Sequence, residues 1–225
     1  MKNIKICPSL ICGDPINLEK DLDDIKRSEI FSIHFDVMDG SFVPRYGLYP
    51  EILSAIKKKY NFLVDVHMMV NNPEDYITDF YEAGADYYNI HVESSKHISK
   101  LVKKIRDIGM KPGIGINPGT SLTSLDWVIN DIDMVVLMAI NPGIVGHKLI
   151  PSMLRKIEEL RSYSDKAGNK NLIIQIDGGV TPESIPLMIE AGADALVCGT
   201  GTIFRPHEDN ISNKISYIKK IINEV

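Results

Sequence analysis

The tetrapeptide "AGAD" occurs twice, at residues 83–86 and again at 191–194. Each copy closes an amphipathic run, "EDYITDFYEA" (74–83) or "ESIPLMIEA" (183–191), and leads into a short apolar one, "DYYNIH" (86–91) or "ALVC" (195–198). A glycine just past a helical stretch takes the left-handed conformation that ends a helix at little steric cost, so Gly84 and Gly192 predict helix ends. The two copies read as one αβ unit used repeatedly.

Working outward, the same alternation fills the chain. Apolar, β-branched runs at 4–10, 30–36, 62–67, 86–91, 112–116, 134–138, 172–177 and 195–198 read as strands. Between them, 17–28, 51–60, 74–83, 99–108, "SLDWVIN" (124–130), 152–162 and 183–191 read as helices, and 212–224 closes the chain as another. Alternation alone also suits a doubly wound open sheet. Eight βα units in 225 residues match a TIM (β/α)8 barrel, an α/β fold in one domain spanning 1–225.

Composition narrows the function classes. With 44% apolar residues the chain can bury a substantial core, and a net charge of -5 argues against nucleic acid or an anionic membrane as partner. No run approaches the ~20 apolar residues of a membrane helix. The amino terminus meets Pro8 within its short apolar run and does not read as a signal peptide. Three cysteines, Cys7, Cys12 and Cys198, lack framework spacing, so a reduced, cytoplasmic compartment is expected.

Barrel active sites form at the carboxyl ends of the strands. In "SIHFDVMDG" (32–40), residues two apart share a face, so His34, Asp36 and Met38 point one way and Ile33, Phe35 and Val37 the other. Strand 3 ends in Asp65, His67 and Met69, strand 6 in Met138, and strand 7 in Asp177. A single strand histidine is more often a satisfied core residue, and a single strand-end aspartate is often a helix cap. Four such groups at one rim change that balance, because burying several charges without a compensating ion is expensive. His34, Asp36, His67 and Asp177 therefore form a candidate site for one divalent metal ion, with zinc, iron, manganese and cobalt all compatible. Asp36 and Asp177 also suit proton transfer. Met38, Met69 and Met138, ordinarily core filling, share strand-end positions that suit a water-poor ceiling over the site.

Glycine-rich turns come late in the chain: Gly143 and Gly146 in "NPGIVGH", Gly178 and Gly179 in "DGGV", and Gly199 and Thr200 in "CGTGTIF". Exposed amides in such turns cradle phosphate without lysine, and barrel phosphate sites often follow strands seven and eight.

Taken in order, "PSL" (8–10), "HFDVMDGSFVP" (34–44), "DVHMMV" (65–70), "AGAD", "NPGIVG" (141–146) and "DGGV" (177–180) resemble the ribulose-phosphate 3-epimerases, nearly end to end. The resemblance implies that His34, Asp36, His67 and Asp177 ligate the metal, that Asp36 and Asp177 are the acid/base pair, and that Ser9 and His67 contact substrate. It further implies transfer of the C3 proton of a ketose phosphate, D-ribulose 5-phosphate to D-xylulose 5-phosphate, with no nicotinamide or flavin. A homo-oligomer is the expected assembly.

Departures bear on substrate length. Arg45 stands where the family commonly has asparagine, "YGLYP" (46–50) replaces a more usual segment, and Val145 and His147 alter the strand-6 loop. "PSLICGD" and "LIPSML" are similar to the allulose-6-phosphate 3-epimerase branch, which leaves a hexulose phosphate as the alternative substrate. Decarboxylase and hexulose-phosphate synthase relatives of this barrel would place Asp-x-Lys-x-x-Asp where this chain has Asp65, Val66 and His67. A non-catalytic sugar-phosphate-binding barrel would not need a carboxylate on each face. His91, His97 and His207 read as ordinary, with His91 at the pocket edge.

Overall fold

The computed structural model describes residues 3–143, 146–205 and 210–225. Eight parallel strands form one sheet: β1 (Lys5–Pro8), β2 (Ile33–Met38), β3 (Val64–Met69), β4 (Tyr87–His91), β5 (Lys111–Ile116), β6 (Met134–Met138), β7 (Ile173–Asp177) and β8 (Ala195–Cys198). The sheet runs β1-β8-β7-β6-β5-β4-β3-β2, and a parallel bridge between Ser9 and His34 brings its two edges together. That is the barrel, and its seam lies beside the candidate site.

Helices α1 (Leu18–Lys26), α2 (Pro50–Lys59), α3 (Ile77–Glu82), α4 (Ile98–Ile108), α5 (Ser152–Ala167), α6 (Ile185–Ala191) and α7 (Ile211–Asn223) follow the strands. Outward side chains of the strands pack under them; Phe35, Phe80 and Tyr88 meet with ring centroids 6.3 and 6.0 Å apart. Both "AGAD" glycines take the expected conformation, Gly84 with φ 97° and Gly192 with φ 115°.

The aspartates of the repeat do the same work twice. Asp86 gives its N–H to the Val64 carbonyl (3.0 Å), while its carboxylate accepts the Val64 N–H (2.8 Å) and the Lys57 ammonium (2.9 Å). Asp194 gives its N–H to the Ile174 carbonyl (2.9 Å), and its carboxylate accepts the Ile174 N–H (2.9 Å) and the Arg161 guanidinium. Each aspartate thus ties the preceding strand and a basic helix residue to the next strand.

One expected helix differs. Residues 124–130 are not an α-helix: a 3-10 helix, Leu122–Leu125, is followed by hydrogen-bonded turns. The Ser121 hydroxyl accepts the Thr123 N–H at its start (3.3 Å). So short a segment gains little from helix propagation. Its shape is set by the buried Leu125, Val128 and Ile129, while Trp127 stays in solvent.

Candidate active site

Alternation along the strands delivers the site. In register, Asp36 pairs with His67 and Met38 with Met69 across β2 and β3, and Met138 pairs with Asp177 across β6 and β7. Inward projection then brings together His34, Asp36, His67 and Asp177, each offering one atom within 4.8 Å of the others. His34 Nε2 lies 3.2 Å from Asp36 Oδ1, 3.3 Å from His67 Nδ1 and 3.8 Å from Asp177 Oδ2. His67 Nδ1 lies 3.3 Å from Asp36 Oδ1 and 3.5 Å from Asp177 Oδ2. Ligand atoms about 2.0–2.2 Å from a tetrahedral ion stand about 3.3–3.6 Å apart. The group therefore fits a divalent cation in spacing and donor chemistry, two imidazoles and two carboxylates.

Buried partners orient both rings from behind. His34 presents Nε2 to the group because its Nδ1 is bound to the Asp65 carboxylate (2.5 Å), which also accepts the Ser32 hydroxyl. His67 presents Nδ1, and its Nε2 faces His91 Nε2 at 2.8 Å. His91 Nδ1 is 3.0 Å from Glu93 Oε2. Ser9, carried to the seam by the bridge to His34, donates its hydroxyl to Asp36 Oδ2 (2.7 Å).

The electrostatics follow from burial set against these partners. Burial alone would lower the His34 and His67 pKa values, but the facing carboxylates, Asp36 and Asp65 for His34 and Asp177 and Asp36 for His67, raise them above the ordinary value of 6.5. Asp36 is driven the other way: burial would raise it, yet His34 and His67 hold it well below the usual carboxylate range. His91, fully buried, is lowered by burial despite Glu93, whereas its bond to His91 takes Glu93 down to about 2 against the opposing effect of burial.

A cavity of about 330 Å³ opens above the group. Asp36 and Asp177 reach it, with Ser9, Met38, Met69 and Met138 on its walls; His34 and His67 are fully buried and are not among the residues lining it. The glycine loops border the same cavity: Gly143 and Gly146 after β6, Gly178 and Gly179 after β7, Gly199 and Thr200 after β8. Arg45 and His147, two of the departures noted in the sequence, line it as well, together with two cationic side chains the sequence reading did not single out, Lys148 and Arg205. Tyr49, at the start of α2, is 55% exposed and outside the lining, and Val145 and His207 lie outside the described residues.

Sequence reading placed His91 at the pocket edge; instead it is wholly buried behind His67. Asp65, Ser32 and Glu93 drew no role either. A signal for His91 was present on the neighbouring strand: in β4–β5 register, His91 pairs with Gly115 and Asn89 with Gly113. A Cβ at Gly115 would meet His91 Cδ2 at 2.8 Å, so two glycines on one face of "KPGIGI" leave the room that two polar side chains occupy.

The sequence profile of the Ribulose-phosphate 3 epimerase family matches residues 5–204. The ribulose-phosphate 3-epimerase of Bacillus subtilis (strain 168) is 40% identical over 197 residues, covering 88% of this chain and 91% of that protein. That of Synechocystis sp. is 38% identical over 208 residues, covering 92% of this chain and 90% of that protein. Among solved structures, KGPDC from Streptococcus mutans superposes with a TM-score of 0.74 at 11% identity, covering 100% of this chain and 99% of the other, a likeness of fold alone. With its barrel, its buried histidine–aspartate group and matches of this length, the chain belongs to the ribulose-phosphate 3-epimerase family.

Proposed function

We propose that the protein is a metal-dependent ketose-phosphate 3-epimerase that interconverts D-ribulose 5-phosphate and D-xylulose 5-phosphate. The observation that carries this reading is the placement of Asp36 and Asp177 on one cavity floor while both also belong to the four-residue ligand group. His34, Asp36, His67 and Asp177 would hold one divalent ion; when bound, it would offset negative charge developing on the substrate oxygens, by several kcal/mol in such reactions.

The chain's own groups do the rest. Epimerisation breaks the C3–H bond on one face of the sugar and remakes it on the other, so a base and an acid must flank a planar enediolate. One aspartate accepts the C3 proton and the other, protonated, delivers a proton to the opposite face; the reverse reaction exchanges their roles. Asp36, ionised beside His34 and His67, suits the accepting role, and the Ser9 hydroxyl fixes its second oxygen. Met38, Met69 and Met138 keep water from the carbanionic carbon. The backbone amides of the glycine loops after β6, β7 and β8 would take the phosphate, with Arg45, Lys148 and Arg205 adding positive charge.

The names of the curated relatives favour the pentulose over the hexulose phosphate. The deciding experiment measures kcat/KM for D-ribulose 5-phosphate and D-allulose 6-phosphate on the same metal-loaded preparation. The pentulose is expected to win by more than the ~10–200-fold that one small steric difference gives. Preference for the hexulose, or turnover of neither, overturns the reading.

A further inference from the structure

A histidine can ligate a metal through one nitrogen only if its proton sits on the other, and something must hold it there. For His34 the device is direct, since the Asp65 carboxylate accepts from Nδ1. For His67 it is one residue removed. His67 Nε2 faces another imidazole nitrogen, His91 Nε2, at 2.8 Å, and such a pair holds one proton that either ring can own. If His91 owned it, His67 would carry its own proton on Nδ1, the atom turned toward Asp36 and Asp177.

Glu93 breaks this tie. Its Oε2 lies 3.0 Å from His91 Nδ1, and a carboxylate can only accept, so the His91 proton belongs on Nδ1 and a lone pair on Nε2. The shared proton then falls to His67 Nε2, which leaves His67 Nδ1 as the nitrogen a metal ion can take. The carboxylate is itself fixed: Oε1 accepts the Asn117 N–H (3.0 Å) and the Thr120 hydroxyl. The loop bearing those donors is held in turn by the buried Lys156 of α5, which donates to the carbonyls of Asn117 (2.9 Å), Pro118 (3.0 Å) and Thr120 (2.5 Å). Phe42 closes the other side of His91, with ring centroids 4.9 Å apart, and Gly115 leaves the ring its space.

We propose that Glu93 is a positioning residue which, acting through His91, sets the tautomer of His67 and so presents His67 Nδ1 as a ligand. This rests on the metal-binding reading above. It makes an unusual prediction for Glu93→Gln. The Asn117 and Thr120 donors require an acceptor at the Oε1 position, so the amide oxygen goes there and the NH₂ faces His91. The NH₂ drives His91 into the opposite tautomer, and the wrong nitrogen of His67 is then protonated. The isosteric variant is expected to be at least as damaging as Glu93→Ala, which leaves His91 to choose.

The test titrates Zn²⁺ against a competing chromophoric chelator for the wild type, Glu93→Gln and Glu93→Ala, with circular dichroism of the metal-free forms as the check on folding. Glu93→Gln is expected to weaken Zn²⁺ binding about 10–100-fold, the range found for lost outer hydrogen bonds to ligating histidines, and no less than Glu93→Ala. Wild-type affinity in Glu93→Gln, or a loss in Glu93→Ala alone, overturns the proposal, since simple filling of space predicts that order. A second measurement needs neither metal nor variant: ¹⁵N-resolved NMR of the metal-free wild type is expected to find the His91 proton on Nδ1, and a proton on Nε2 with Nδ1 bare refutes the mechanism. Failure of the wild type to bind Zn²⁺ or any other divalent ion would sink the metal-binding reading while leaving the tautomer result to decide the role of Glu93.

Discussion

Two pairs of aspartates stand at opposite ends of this barrel and illustrate what an identical side chain is made to do. Asp86 and Asp194 precede β4 and β8, and each finds a strand N–H and a basic helix side chain, donors that neutralise it fully. Asp36 and Asp177 lie toward the carboxyl ends of β2 and β7, at the other end, and face histidine nitrogens whose protons can leave. The first pair is matched to permanent donors and can only hold the chain together. The second is matched to groups that a metal ion or a proton can replace, and it lines a cavity.

The comparison breaks most visibly in turnover. Asp177→Asn keeps the shape of the side chain but replaces the proton-transferring carboxylate with an amide that cannot take up the C3 proton, so kcat measured at saturating metal should fall by about 10²–10⁴-fold. Binding of the sugar phosphate should stay measurable by calorimetry. Near-normal turnover in this variant would remove Asp177 from the chemistry and leave it no different in kind from Asp194.

The end that bears the site also responds to pH. In the metal-free protein the raised His34 and His67 values mean that each ring keeps a second proton, on the nitrogen facing the aspartates, to a higher pH than an ordinary histidine. Protons and metal compete for those lone pairs, so apparent metal affinity should rise with pH, by up to about tenfold per pH unit for each proton displaced. Folding stability of the metal-free form moves the opposite way. A raised histidine value contributes stability that is fully present below 6.5 and is lost as pH climbs through the raised value. Asp36, depressed, contributes above its ordinary 3.8 and loses that contribution as pH falls. Chelator competition and thermal melts from pH 5 to 9 check both signs, and a flat affinity profile would contradict the assignment of the two rings as ligands.

How much of this was legible from sequence depended on whether a residue's role was local. The "AGAD" glycines announced helix ends because left-handed backbone is a single-residue property, the period of two put His34 and Asp36 on one face of their strand, and position at the strand ends gathered His67 and Asp177 with them. The short 3-10 segment at Leu122–Leu125 was misread because seven residues carry too little pattern to separate an α-helix from turns anchored by the core. His91 was missed for a different reason. Its importance lies in a chain of contacts from His67 to Glu93 to the Asn117–Thr120 loop, elements that only the barrel's closure brings together, and its one local trace was the missing side chain at Gly115.

At the structural end, Asp86→Asn and Asp194→Asn should each lower stability by about 1–3 kcal/mol, the range for a charge-assisted bond lost where a partner stays partly buried. That is roughly 2–12 °C in melting temperature for a chain of this size. The kcat of the folded fraction should remain within about twofold of wild type. A loss of activity without a loss of stability would show that the two ends of the barrel are coupled.

Distance alone would rank a third aspartate above Asp86. Asp107 lies 2.6 Å from Lys103 one turn away on α4, closer than the 2.9 Å between Asp86 and Lys57. Yet the Lys103 and Asp107 side chains are 74% and 60% exposed, against 24% and 30% for Lys57 and Asp86. Water competes for each partner of the exposed pair, salt screens it, and holding two long side chains together costs entropy, so such a pair contributes about 0.3–0.5 kcal/mol. Asp107 also accepts no strand N–H among the described residues, so its loss strands no buried donor. Asp107→Asn should therefore shift the melting temperature by no more than about 1–2 °C, and 0.5 M salt should erase the shift. A drop as large as that of Asp86→Asn would mean that contact distance, rather than the burial and permanence of the donors, decides what a carboxylate is worth in this barrel.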